Sequence, residues 1–191
     1  DDTLVSIAGS NGKVCTFVAN EARPMGRDTM GVKGIELAEG EKAIGVTCSS
    51  EGELILAITE KGFGKLTRLY EEGHEGDEEF LNYRKTKRGA KGVSTLKATP
   101  KIGKIIDVKT VNCDEDIMAI TNAGIIIRTH LNEFRITKRN TQGVRLINLE
   151  DKQKVSSITI VPFEEDAPEI EEIVEDGEEN TTAEVAEKVE E

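Results

Sequence analysis

The chain has 191 residues, of which 32% are charged and 4% aromatic, with no Trp and a formal net charge of −12. That length suffices for one ordinary core or several small repeat units, built here from Ile, Val and Leu. No apolar run is long enough to span a bilayer and no secretory leader pattern occurs, so the expectation is a cytoplasmic protein without a membrane partner.

Thr3 to Ala8 reads as a strand with no lead-in before it, which reads as a fragment of a longer protein. Gly9-Ser-Asn-Gly12 is a hairpin turn, because Asn and Gly tolerate positive φ. Lys13 to Phe17 is the return strand. A polar loop reaches Gly31, Val32 to Leu37 is predicted as a third strand and Ala43 to Thr47 as a fourth. The order recurs twice. Leu54 to Thr59, turn Glu60-Lys-Gly62 and Phe63 to Thr67 lead to a charged loop ending at Gly92, then strands at Val93 to Leu96 and Lys104 to Val108. Ile117 to Thr121, turn Asn122-Ala-Gly124 and Ile125 to Thr129 lead to a loop ending at Gly143, then Val144 to Leu149 and Val155 to Val161.

The spacings support a repeat. Turn glycine to loop glycine is 19 residues for Gly12 to Gly31 and for Gly124 to Gly143, but 30 for Gly62 to Gly92. The excess of 11 coincides with an acidic stretch around Glu71 to Glu79. Units of ~40–50 residues with four short strands each are the signature of a propeller-like array, in which insertions map to loops. The predicted fold is therefore all-β: about three four-stranded antiparallel blades over 1–163, an acidic loop insertion near 70–81, and a tail over 164–191 expected to be disordered.

Charge follows the same division. The tail from Glu164 holds 14 acidic residues and one lysine, leaving 23 acidic and 24 basic residues over 1–163. Glu71 to Glu79 accounts for six of those acids, so the remaining body is net +7. A basic body, an acidic insertion and an acidic tail lie behind the average.

Catalytic patterns are lacking. His74 falls in the acidic insertion, and His130 follows a strand with no Ser, Cys or carboxylate nearby in sequence to form a triad. No Walker motif, HExxH or GxSxG occurs, and Asp114-Glu-Asp116 reads as a turn before a strand rather than a cation site. Cys15, Cys48 and Cys113 are odd in number, with no CxxC pair; no metal site is expected, and they read as small buried hydrophobes. An enzyme confined to this chain is not expected.

The basic loops are the informative feature. YRKTKRGAKGVSTL, from Tyr83 to Leu96, is echoed by RPMGRDTMGVKGIEL from Arg23 and FRITKRNTQGVRLINL from Phe134. Cations spaced along the rim of a β array neutralise successive phosphates, and glycines let backbone approach them. For any one loop, turn glycines and a solvated face of cations are the better reading. Three loops at the same point of a repeat favour phosphate binding. Scarce aromatics favour duplex over single strands.

With ITEKGFGKLT, NTQGVRLINL and MGVKGIEL in this order, residues 1–163 resemble the C-terminal domain of the DNA gyrase A protein, in its later blades. The resemblance implies a β-pinwheel of four-stranded blades whose basic perimeter wraps duplex DNA with a fixed hand, supporting ATP-dependent negative supercoiling by the whole type II topoisomerase. It implies as partners the remainder of gyrase A together with gyrase B, in an A2B2 enzyme of the bacterial cytoplasm and nucleoid. It implies no cofactor for this stretch, with ATP and Mg2+ used through other domains. The family's box of Gln, two basic residues, Gly-Gly, basic, Gly is matched at five of seven positions by Thr86-Lys-Arg-Gly-Ala-Lys-Gly92, which reads as a later-blade relic. The family's pinwheel usually has about six blades, whereas this chain holds about three repeats. An acidic tail after the last blade is also a gyrase-like feature.

The expected DNA contacts are Lys65, Arg68, Arg84, Lys85, Lys87, Arg88, Lys91, Arg128, Arg135, Lys138, Arg139 and Arg145, with Arg27 and Lys33 weaker. Gly31, Gly89, Gly92 and Gly143 are the expected structural glycines. Two other readings stand beside this one: the C-terminal domain of the A-type protein of topoisomerase IV, and a propeller used as a protein-interaction module.

Overall fold

A computed structural model describes residues 2–139 and 141–163. The predicted tail lies outside them. The described residues form an all-β fold whose only helical pieces are single 3-10 turns, such as Ala19–Glu21. The strands are β1 Leu4–Gly9, β2 Lys13–Val18, β3 Ala43–Cys48, β4 Leu54–Thr59, β5 Phe63–Arg68, β6 Val93–Ser94, β7 Ile105–Val111, β8 Glu115–Thr121, β9 Ile126–His130, β10 Val144–Arg145 and β11 Val155–Pro162.

They make three antiparallel sheets built on one plan, ordered β3-β1-β2-β6, β7-β4-β5-β10 and β11-β8-β9. The hairpins β1–β2, β4–β5 and β8–β9 fall where their turn residues predict, each closed by a bond from the turn glycine amide, as from Gly62 to the Thr59 carbonyl at 3.0 Å.

The composition of each sheet corrects the sequence reading. The Gly-Val segment after a basic loop does not join its own repeat. β6 pairs with β2 of the preceding repeat and β10 with β5 of the preceding repeat. Each graft is held by a turn carbonyl: Gly12 accepts from the Thr95 amide at 2.8 Å, and Gly62 from those of Leu146 and Ile147 at 2.9 and 3.0 Å. The approach is close enough that a Cβ on Gly12 would sit 1.8 Å from the Leu96 carbonyl oxygen. Val32 to Leu37, predicted as a strand, is not one, because no sheet among the described residues stands in position to receive it. Instead Ile35 packs with Cys15 and Phe17 against the first sheet. The third sheet correspondingly has three strands, and Ile125 and Ile126 beside its β9 edge are exposed.

The core lies between the sheets. All six residues of β4, LILAIT, are buried because the middle sheet is covered on both faces. Period-2 alternation sends Ile55 and Ala57 toward the first sheet and Leu54, Leu56 and Ile58 toward the third. A fully buried Leu or Ile contributes roughly 1.5–3 kcal/mol, so this strand fixes the spacing of its neighbours. The insertion is clasped at its base by an antiparallel bridge between Tyr70 and Leu81, with the Glu71 amide bonded to the Phe80 carbonyl at 2.9 Å.

Candidate nucleic-acid interface

Two of the three basic loops are built alike through a shared Thr-Lys-Arg unit. In the second repeat Thr86-Lys87-Arg88 and in the third Thr137-Lys138-Arg139 dock on the return strand of the preceding sheet. The threonine amides donate to the Thr16 carbonyl at 2.7 Å and the Leu66 carbonyl at 2.8 Å. That anchor turns the next residue outward, and both Lys87 and Lys138 are exposed. The following arginine turns back onto the preceding repeat. Arg88 donates through Nη1 to the Lys33 carbonyl at 2.6 Å and through Nε to that of Glu21 at 3.0 Å. Arg139 donates through Nη1 to the Ser94 carbonyl at 2.7 Å. Each loop is thereby strapped to the segment before it, and the loops form one continuous band.

The candidate contacts therefore divide. Arg84, Lys87 and Lys91 on the second loop, Arg135, Lys138 and Arg145 on or after the third, and Arg27 and Lys33 on the first are exposed. Arg145 also lies over the Phe63 ring, 5.3 Å from its centroid, a cation–π contact that leaves its charge at the surface. Arg88 and Arg139 are half-buried and serve as straps.

Two residues answer to the acidic insertion. Arg68 pairs with Glu72 at 3.5 Å, and Lys85 pairs with Glu78. The insertion thus pairs with one cation of β5 and one of the second loop.

One position is corrected, and a second is exposed but held in an ion pair. Lys65 is 1% exposed and cannot touch a duplex directly; its Nζ donates to the carbonyls of Lys138, Arg139 and Thr141 beneath the third loop. Burial, with some repulsion from Arg139, pushes its pKa down from 10.5 to about 8. Arg128 is exposed, but it is bound to Asp116, Nε to Oδ2 at 2.5 Å, and donates to the Pro162 carbonyl at 3.2 Å. Asp116 also accepts from His130 Nδ1 at 2.7 Å, so the carboxylate partner not seen near His130 in sequence exists. Asp116 and His130 are directly opposed on β8 and β9, 14 residues apart in the chain, and cross-strand pairing is the signal that identifies them. Burial pushes the Asp116 carboxyl up, but hydrogen bonds from His130 and Arg128 more than offset this and hold it below 3.8.

The glycines differ in kind. Gly31, Gly89 and Gly92 have φ of +75°, +79° and +73°, in the left-handed region, whereas Gly143 does not have positive φ but packs flat on Gly64. Of the cysteines, Cys15 is buried as expected, while Cys48 is intermediate and Cys113 exposed.

Between the second and third loops opens a cleft of about 300 Å³, with Lys97, Lys101 and Arg139 standing over Phe63, Leu96 and Ile102. Among the described residues no group of His, Cys, Asp and Glu is arranged to hold a metal ion, and no helix is long and apolar enough to cross a membrane.

Comparison with known proteins agrees with this architecture. The chain is 46% identical over 156 residues to the DNA gyrase A protein of Ureaplasma parvum serovar 3, and 42% over 163 residues to that of Fibrobacter succinogenes. These matches cover 82% and 85% of this chain but 17% of each relative, so the chain spans about one sixth of their length. Among solved structures, a DNA gyrase A C-terminal domain superposes with a TM-score of 0.70 at 23% identity, over 84% of this chain and 51% of that one. A topoisomerase IV C-terminal domain superposes with a TM-score of 0.72 at 22% identity, over 84% and 47%. At such identities these two show the fold alone. The family model described as DNA gyrase C-terminal domain, beta-propeller, matches residues 3–50, 53–71, 82–112 and 115–162, passing over the acidic insertion. The chain belongs to the DNA gyrase C-terminal domain, beta-propeller family.

Proposed function

We propose that this chain binds duplex DNA along its band of rim loops and wraps it with a fixed hand as part of DNA gyrase. The observation that carries the reading is the repeated Thr-Lys-Arg unit: threonine anchors, lysine faces solvent, arginine straps the loop to its neighbour. Outward lysines at a constant place in successive repeats match the recurring phosphates of a duplex, and backbone contacts of this kind carry little sequence information. Bond breaking and ATP-dependent negative supercoiling belong in this reading to the whole type II topoisomerase, assembled from gyrase A and gyrase B as A2B2 in the bacterial cytoplasm, on the nucleoid. ATP and Mg2+ act there through other domains.

The topoisomerase IV fold is equally close in shape, but the relatives at 46% and 42% identity are gyrase A proteins, which favours gyrase. Binding to a random ~40-bp duplex is expected to weaken steeply with salt, with a log–log slope near −0.9 per phosphate neutralised. Undetectable binding at low salt, with residues from 164 onward removed, overturns the reading. A propeller serving as a protein platform would not be competed from its partner by plain duplex. Chirality is read by relaxing closed circles in the presence of the complete domain; an unchanged linking number excludes a gyrase-type wrap.

A further inference from the structure

Lys65 and Cys15 occupy equivalent places on β5 and β2, three residues after the turn glycines Gly62 and Gly12. Both point at the next repeat's rim loop. Cys15 Sγ lies 3.4 Å from Thr86 Oγ1 and 3.8 Å from the Lys87 carbonyl, a weak neutral contact. Lys65 Nζ instead meets three loop carbonyls, those of Lys138 at 3.5 Å, Thr141 at 3.1 Å and Arg139. An ammonium has three donors and no acceptor, so these carbonyls use its full capacity.

We propose that Lys65 is the positioning residue of the third rim loop: its ammonium gathers the loop carbonyls from beneath, fixes the backbone that presents Lys138 outward, and sets a buried cation under the docked phosphate. The proposal rests on the DNA-binding reading for its last element only; loop positioning stands without DNA. The charge has no carboxylate partner among the described residues. Its neighbour of like sign is Arg139 on the loop; its cross-strand partner on β4, Ala57, is uncharged. Burial accordingly destabilises the protonated form, with a pKa of about 8. An anion laid over the loop supplies the missing countercharge, so binding raises proton affinity at Lys65 and takes up a proton near pH 8. Affinity then falls as pH rises through this range. The buried Tyr83 phenol, pushed above 10 by burial, titrates outside it.

The test compares the full chain with Lys65→Met, which keeps length and apolar volume but loses the donors and the charge. Amide hydrogen exchange without DNA reads the loop directly. The expected result is faster exchange over the amides of Thr137 to Arg139 and Thr141 to Gly143, with those of Thr86 to Gly92 unchanged. Duplex affinity is then measured from pH 7 to 9.5 at constant ionic strength. Wild type is expected to weaken by roughly tenfold per unit of pKa rise on binding, and Lys65→Met to start several-fold weaker and stay flat. Unchanged exchange in the third loop, or loss of protection in both loops alike, overturns the positioning role. A flat wild-type profile overturns the charge beneath the phosphate even if Lys65→Met does not fold. Absence of any DNA binding by wild type sinks the DNA reading while leaving the exchange result to decide the positioning.

Discussion

Three glycines of the rim loops separate two physical costs that sequence alone merges. Gly31 has φ +75° with nothing near a would-be Cβ; Gly143 lacks positive φ, but its Cβ would lie 2.8 Å from the Gly64 carbonyl oxygen. Gly92 has both, φ +73° and a Cβ 2.4 Å from the Val14 carbonyl oxygen and 2.8 Å from the Cys15 amide nitrogen. Left-handed backbone costs a residue with a Cβ about 1–2 kcal/mol, offset by about 0.4–1 from a less free unfolded chain. Gly31→Ala is therefore expected to cost about 1 kcal/mol or less. Overpacking costs about 1–3 kcal/mol, which sets the range for Gly143→Ala. At Gly92 the obstacle is backbone of β2, which yields only if the β2–β6 pairing opens, so Gly92→Ala is expected at about 3–4 kcal/mol. Thermal unfolding followed by far-UV circular dichroism reads these as melting shifts of about 2–4 °C per kcal/mol. Gly92→Ala should fall by about 6–16 °C and Gly31→Ala by about 4 °C or less. Equal shifts for the two would refute the claim that β6 grafts onto β2 at close contact.

Glu72→Gln with Glu78→Gln frees Arg68 and Lys85, so duplex affinity at low salt should rise on the order of a few-fold; unchanged affinity in a titration shows that the insertion does not shield the band. Replacing Arg84, Lys87 and Lys91 by Ala should flatten the log–log salt slope by about 2.7, measured on the same random duplex, whereas an unchanged slope removes the second loop from the DNA path. Asp116 has its folded pKa held below the unfolded value, so its contribution is complete above pH 3.8 and is lost as pH falls through the folded value. Asp116→Asn should be less stable than wild type by about 1–3 kcal/mol near neutrality, and urea titrations should show that gap narrowing below pH 3.8; a gap independent of pH contradicts the assignment. Native protein should release one fast thiol to a disulfide reagent, the exposed Cys113, ahead of Cys48, whose pKa burial and then Glu51 push up, with buried Cys15 reacting only on unfolding.

Much of the site was legible because its signals are local. The place of Lys87 and Lys138 on rim loops follows from repetition at one point of a period, and the hairpins from Asn and Gly in their turns; which of the loop cations faces outward does not. The surroundings that sequence does not announce all depend on a distant partner. Lys65 reads as one more cation in FGKLTR until a loop more than 70 residues later folds over it. Arg88 and Arg139 look as available as the lysines beside them, yet their acceptors are backbone carbonyls of the preceding repeat, which no side-chain pattern announces. Arg128, Asp116 and His130 are separate in sequence and joined only by β8–β9 register.

By itself the sequence determined the all-β class, the repeat, the turns, the acidic insertion and the concentration of positive charge in the loops. These depend on periodicity, on backbone freedom at Gly and Asn, and on composition, all of which act within a few residues. Tertiary structure decided which sheet each short strand joins and which cations remain at the surface. A two-residue strand such as Val93–Ser94 has too little pattern to name its partner; the Gly12 carbonyl and the flat face of Gly92 do. An arginine or lysine side chain is long enough to face solvent or to turn inward, and its direction is set by whether buried carbonyls lie within reach and lack other donors.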